Sequence, residues 1–282
     1  MSGNRGTALL MVFVVVMVGL QVWIMLRPVP VPPPVTLPPE EQKVGEAPDV
    51  EFATPANRLR NGVRYKPGEI LGLPVTPERT EVAPLPPERL RDYLDPTRDQ
   101  QQQPAEVIRR LGIRKGAAVA DIGAGSGYFT FRFADAVGAG GRVWATDISW
   151  SALNYLRQRL KNMPRKNVFL VLHDESDCLL PDRSVDLAFI CDVHFFHYPT
   201  APRGSRPMED VERFYQSVRR VLRPGGRLAI LEKSAAIEDP DPYRGRLSDA
   251  AIVAQLKQCG FTLVKSHAVL RNQYFLVFRP VR

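Results

Sequence analysis

The sequence predicts an α/β fold: a doubly wound, mostly parallel sheet of seven strands that ends in an antiparallel hairpin. Three observations carry this. Ala118 to Thr130, AVADIGAGSGYFT, reads as a strand, a glycine turn and a helix start, the opening of a nucleotide-binding βαβ unit. Strand-like apolar runs then alternate with stretches of helical period as far as Glu232, the pattern of parallel strands joined by crossover helices. Finally, Phe261 to Ala268 and Gln273 to Phe278 are separated only by Val269 to Asn272, a link too short for a crossover, so these two strands pair antiparallel.

Ahead of this domain, Ala8 to Leu26 is a run of 19 residues with Gln21 its only strongly polar member. At about 1.5 Å per residue it just spans a hydrocarbon core of roughly 30 Å. Trp23 suits the interface. A cleaved signal peptide would have a shorter apolar stretch and a small-residue cleavage site, and the RPVPVPPP after Leu26 offers none. Residues 1–27 are therefore expected to be a single-pass transmembrane anchor. Arg5 on one side and Arg27 and Lys43 on the other nearly balance, so charge does not fix the orientation. Residues 28–88 read as a proline-rich linker, largely disordered, with Val29 to Pro39 extended and polyproline-like. Within it, Tyr65, Ile70 and Leu71 suit docking onto the domain. Residues 89–282 form the domain itself.

Composition bounds the possibilities. The chain of 282 residues is 44% hydrophobic, enough for one large domain with appendages. The formal charge of +8 is compatible with anionic membranes or nucleic acid and shows neither. Cys178, Cys191 and Cys259 have neither metal spacing nor the look of a disulfide framework, and read as buried thiols in a reducing compartment. No metal site is expected.

The domain begins with helical spacing at Val107, Ile108 and Leu111, with Pro104 suited to a first turn. Strands are expected at Ala118 to Ile122, Arg142 to Asp147, Val168 to Leu172, Val185 to Cys191 and Arg227 to Glu232. Ser149 or Ser151 suits the cap of a helix striped by Leu153, Leu156 and Leu160. Met208 to Leu222 carries a buried stripe of Val211, Phe214, Tyr215, Val218, Val221 and Leu222, stopped by Arg223-Pro224-Gly225-Gly226. Ser248 caps a last helix with Ile252, Val253 and Leu256 on one face, stopped by Gly260.

The glycine turn decides between ligands. A dinucleotide fingerprint, G-x-G-x-x-G, needs glycine at position 128, which is Tyr128; the third glycine is Gly127. Asp121, just before the turn, would repel a pyrophosphate and suits a cation. The D-x-G-x-G-x-G string resembles motif I of the class I S-adenosylmethionine-dependent methyltransferases, with their Rossmann-like fold. The L-P-x-x-S-x-D-L segment ending at Leu187, the V-L-R-P-G-G-R-L turn and the closing hairpin are similar to the same family.

The resemblance implies S-adenosyl-L-methionine as cofactor, with Asp121, Gly123, Gly125, Ser126 and Gly127 around its methionine part. Asp147, at the end of the second strand and followed by Ile148, has the two oxygens that a ribose diol needs. In the family, an acid after the third strand meets the adenine amino group; Asp174 fits best, with Glu175 beside it. Asp192 ends the fourth strand, beside the transferable methyl, and is counted with the cofactor-binding residues. Tyr93, Arg98 and Gln101 to Gln103 are candidates for a lid, or belong to a surface helix. His194 and His197 are candidate general bases, since imidazole takes a proton near neutral pH, or are histidines bonded to backbone. Amine-directed relatives carry N/D-P-P-Y/F where this chain has Asp192-Val193-His194-Phe195, so no nucleic acid partner is expected. The expected function is a membrane-anchored methyltransferase with a small-molecule or lipid-soluble acceptor, its domain facing the cytoplasm where the cofactor is made. The other readings are an inactive cofactor-binding module tethered to the membrane and a nicotinamide-dependent oxidoreductase, which Tyr128 disfavours.

Overall fold

A computed structural model of the chain describes residues 69–72, 85–193, 208–234, 247–268, 270 and 272–281. The expected anchor at Ala8 to Leu26, the linker up to residue 68, His194 and His197 all lie outside the described residues. No helix among the described residues is long and apolar enough to cross a membrane.

The elements in chain order are β1 (Ile70–Gly72), α1 (Pro87–Asp92), α2 (Thr97–Gln102), α3 (Pro104–Leu111), β2 (Ala118–Ile122), α4 (Thr130–Val137), β3 (Arg142–Asp147), α5 (Trp150–Asn162), β4 (Val168–Leu172), β5 (Val185–Cys191), α6 (Met208–Val221), β6 (Leu222–Lys233), α7 (Asp249–Gln258), β7 (Phe261–His267) and β8 (Gln273–Pro280). They form one eight-stranded sheet in the order β1-β4-β3-β2-β5-β6-β8-β7. All pairings are parallel except β6–β8 and β7–β8.

Every residue of β2 and β4 is buried, as expected of parallel strands covered on both faces. Phe129, Phe133 and Phe189 meet with ring centroids 4.8 to 5.8 Å apart, fixing α4 onto β5. The stripe of α6 is buried as its period requires, and so are Leu153, Leu156 and Leu160 of α5. Of the two candidate serines it is Ser149 that caps α5, accepting from Ala152 N at 3.3 Å. Ser151 instead accepts from Leu85 N at 2.9 Å and ties the start of the described domain to α5.

Two expectations are corrected. The sheet has eight strands rather than seven, because Ile70–Gly72 pairs in parallel with Leu170, Val171 and Leu172 at the edge. That strand and α1, which starts at Pro87, lie within the stretch assigned to the linker, so the domain begins before residue 89. A β-carbon on Gly72 would lie 2.1 Å from the Leu172 carbonyl oxygen, and its φ of +102° is one that L side chains rarely adopt. The second correction concerns the proline-glycine turn. α6 ends at Val221 and β6 runs straight on from Leu222, which pairs with Val185 across an irregular register. Gly225, at φ +83°, absorbs that irregularity.

Candidate active site

β2, β3, β5 and β6 run in the same direction, and their carboxyl ends open on a single cavity of about 430 Å³. This is where ligands bind in open α/β sheets, and the volume is that of a small-molecule site.

The floor is the turn after β2. Gly123, Gly125 and Gly127 have φ of +74°, +54° and +84°. A β-carbon on Gly123 would lie 2.3 Å from Val193 Cγ2, whereas one on Gly125 would meet only the Tyr93 ring at 3.5 Å. The turn therefore needs glycine both for its dihedrals and for the close approach of the chain after β5. Gly127 plays a different part from the one expected. It is absent from the cavity wall, and its Cα packs where a β-carbon would come within 2.4 Å of Leu156 Cδ1. It lets α5 close on the turn.

Two buried carboxylates face the floor. Asp147 accepts from Gly125 N and from Ser149 N, both at 2.8 Å, so it holds the glycine turn as well as its own. Burial pushes its carboxyl above the ordinary value, against the two backbone donors. Asp121 accepts from Thr130 Oγ1 at 2.6 Å, and burial pushes its carboxyl up to about 7. A cation in the cavity would favour its ionised form.

Ser126 and Ile148 line the cavity as expected, and exposed Glu175 stands on its rim. Asp174 does not line it. Its Oδ1 accepts from Ser176 N at 2.8 Å, Ser176 Oγ at 2.7 Å and Asp177 N at 3.1 Å, so the carboxylate closes its own turn. His173 lines the wall in its place. Its Nδ1 lies 2.6 Å from the Asp174 carbonyl oxygen and must donate to it, and burial lowers its pKa.

The roof is α2. Arg98 bonds to the Tyr93 carbonyl at 2.5 Å and to Gln102 Oε1 at 2.9 and 3.2 Å. Gln102 Nε2 then donates to Asp192 Oδ2 at 2.7 Å. Tyr128 pins the roof to the turn: its ring lies between the guanidinium groups of Arg98 and Arg132, at 4.1 and 4.2 Å, and its hydroxyl donates to Asp99. The residue that breaks the dinucleotide fingerprint is thus a structural bolt. Tyr93, Arg98, Gln101 and Gln102 line the cavity, whereas Gln103 forms the left-handed joint between α2 and α3, at φ 42°.

At the far end stand Cys191 and Asp192, Phe214 of α6 and Lys233 at the end of β6. Asp192 sits at φ 53°, strained for a non-glycine residue, and is held from both sides, since Gln273 Nε2 also donates to its Oδ1 at 3.3 Å. Burial raises the Cys191 thiol well above its ordinary value. His173, Phe214 and Lys233 were missed from sequence, since only the packed sheet brings them to the cavity. Among the described residues no group of His, Cys, Asp or Glu is placed to hold a metal ion.

The cavity fits a nucleoside-bearing sulfonium. The glycine floor leaves room for a ligand against bare backbone, Asp147 offers two oxygens, and Asp121 is poised to ionise beside a cation. Ser126 Oγ and His173 Nε2 are buried without hydrogen-bond partners among the described residues.

The sheet order is that of a Rossmann-like α/β fold, with its cavity at the carboxyl ends of the parallel strands. Residues 119–226 match the protein family described as "Methyltransferase domain". The chain is 37% identical over 130 residues to a "Ubiquinone/menaquinone biosynthesis C-methyltransferase UbiE" of Pasteurella multocida, covering 46% of this chain and 44% of that protein. It is 35% identical over 130 residues to the protein of the same name from Enterobacter sp., covering 46% and 47%. It thus spans a little under half the length of these relatives. A solved S-adenosylmethionine-dependent methyltransferase from Aquifex aeolicus shares the fold, with a TM-score of 0.61 and 24% identity over 70% of this chain and 100% of that one. A DhpI structure in complex with SAH does so with a TM-score of 0.52 and 21% identity over 69% of this chain and 92% of that one.

Proposed function

We propose that this chain is an S-adenosylmethionine-dependent methyltransferase that methylates a ring carbon of a lipid-soluble hydroquinone-type acceptor. The observation that carries the cofactor is the buried Asp147 carboxylate bonded to the Gly125 N–H at the mouth of the glycine turn. A diol-binding role for Asp147 beside a cation-tolerant floor fits this arrangement. The names of the relatives, C-methyltransferases of ubiquinone and menaquinone biosynthesis, support a quinone-related acceptor methylated on carbon, and the apolar run at Ala8 to Leu26 supports a membrane tether that keeps the domain near such a molecule. The cofactor requirement favours a cytoplasmic domain. When bound, the cofactor supplies an activated methyl group on a neutral leaving group. The chain itself has to align acceptor and methyl and keep water out, which is catalysis by proximity. Asp121, Ser126, Asp147, Ile148 and Glu175 would hold the cofactor, under the roof formed by α2.

Calorimetric titration of the full chain in detergent with S-adenosylmethionine, S-adenosylhomocysteine and NAD tests the reading. Saturable binding of the first two is expected; binding of NAD alone would overturn it.

A further inference from the structure

The far end of the cavity is furnished for more than cofactor binding. Lys233 and Gln273 are directly opposed across the antiparallel β6–β8 ladder, so their side chains leave the same face of the sheet. The Gln273 side chain reaches Asp192. Lys233 therefore opens on the same corner of the cavity as Asp192, and both line its wall. Among the described residues the Lys233 ammonium makes no ion pair, whereas Asp192 is fixed by two amide donors, Gln102 Nε2 at 2.7 Å and Gln273 Nε2 at 3.3 Å, and accepts more weakly from the Cys191 thiol at 3.8 Å. Each donor takes one lone pair of one carboxylate oxygen and leaves others for a ligand. Phe214 and Val193 supply apolar wall beside them. A cation and an anion that share a corner without touching each other are arranged for something that sits between them.

We infer that Lys233 and Asp192 are an acceptor-activating pair for an aromatic acceptor bearing an acidic hydroxyl: Lys233 holds the hydroxyl oxygen as its anion and Asp192 takes the proton. The inference rests on the methyltransferase reading and adds the acceptor's ionisable group. The hydroxyl proton passes to the Asp192 carboxylate. The oxygen electron pair delocalises into the ring, and the adjacent ring carbon bonds to the methyl carbon as the methyl–sulfur bond breaks and its pair stays on sulfur. The ring then loses that carbon's proton to solvent, and Asp192 returns its own to the oxygen. One proton is released overall. The other titratable and charged groups around this corner are Asp121 from β2, Cys191 from β5, Glu232 from β6 and Arg98 from α2. Cys191, with its raised pKa, stays a thiol and does not compete as a base.

The test uses the full chain in detergent, labelled S-adenosylmethionine, and 1,4-naphthohydroquinone under reducing conditions, with its dimethyl ether as the probe lacking the hydroxyls. The wild type should methylate the hydroquinone and leave the ether untouched. Lys233→Met should lose about tenfold to a hundredfold in kcat/KM near neutral pH, the range for losing one charged hydrogen bond. That loss should shrink as pH rises and the hydroquinone ionises unaided. Lys233→Arg should recover most of the rate. Affinity for S-adenosylhomocysteine should stay within about twofold in both variants, which also shows that they are folded. Four results would overturn the pair: a wild-type rate in Lys233→Met at every pH, a parallel loss of S-adenosylhomocysteine affinity, methylation of the ether, or no methylation of the hydroquinone by a wild type that binds S-adenosylhomocysteine. Failure of the wild type to bind S-adenosylhomocysteine at all would sink the methyltransferase reading along with it.

Discussion

Asp147 carries two duties that its sequence position alone did not separate. It is the candidate ribose acceptor, and it is the acceptor that fastens Gly125 and Ser149. Asp147→Ala should therefore weaken cofactor binding about tenfold to several hundredfold, at roughly 1.5–3 kcal/mol per charged hydrogen bond and 1.4 kcal/mol per decade. It should also lower the melting temperature, because two backbone N–H groups lose their partner. Asp147→Asn keeps one acceptor oxygen and should be milder in both respects; titration calorimetry and thermal melts read the two effects apart. Asp121 makes a prediction about pH. Its carboxyl sits at about 7 in the folded chain instead of near 3.8, so folding takes up a proton between those values. Its contribution to stability is full below the lower value, is lost as pH rises through about 7, and is flat above. A sulfonium favours the ionised form, so affinity for S-adenosylmethionine should rise about tenfold between pH 6 and 8, as the ionised fraction does. Neutral S-adenosylhomocysteine should not show that rise. Equal pH profiles for the two ligands would mean that Asp121 does not sense the cofactor's charge.

At the scale of elements, the contact of α5 with the glycine turn is the tightest joint in the site. Gly127→Ala would set a methyl group 2.4 Å from Leu156 Cδ1 at a φ of +84°. Overpacking of this kind costs about 1–3 kcal/mol, with roughly 1–2 kcal/mol more for a left-handed residue. Urea unfolding should show a loss of that order, and a neutral result would mean that α5 can shift freely. Most elements were legible in the sequence because their burial has a period. β3, β4 and β5 have the bounds read from their apolar runs, and α6 buries the stripe its spacing required. β1 was missed because three residues carry no period. Leu222 was missed as a strand residue because proline and two glycines read as a stop, whereas its partner Val185 is visible only in the sheet. In the site, Asp121 and Asp147 were legible because strand ends are local. The corner formed by Gln102, Asp192, Lys233 and Gln273 was not, since its members come from four separate elements or their ends.

For the whole molecule, the fold sets where the chain can be cut. Removing residues 1–39 should leave the described domain folded, since its first described strand starts at Ile70. Removing residues 1–84 takes β1 away and bares the backbone of β4, a fully buried strand. That shorter form should melt lower and aggregate more readily than the first, as light scattering and calorimetry would show. Indistinguishable behaviour would mean that β1 is an ornament of the edge. β1 has a mechanical consequence too. Tension applied at Ile70 falls first on three parallel rungs, Ile70 to Gly72 against Leu170 to Leu172. So short a ladder peels before the longer ladders around the cavity feel any load, and β1 therefore works as a strain relief for the pocket.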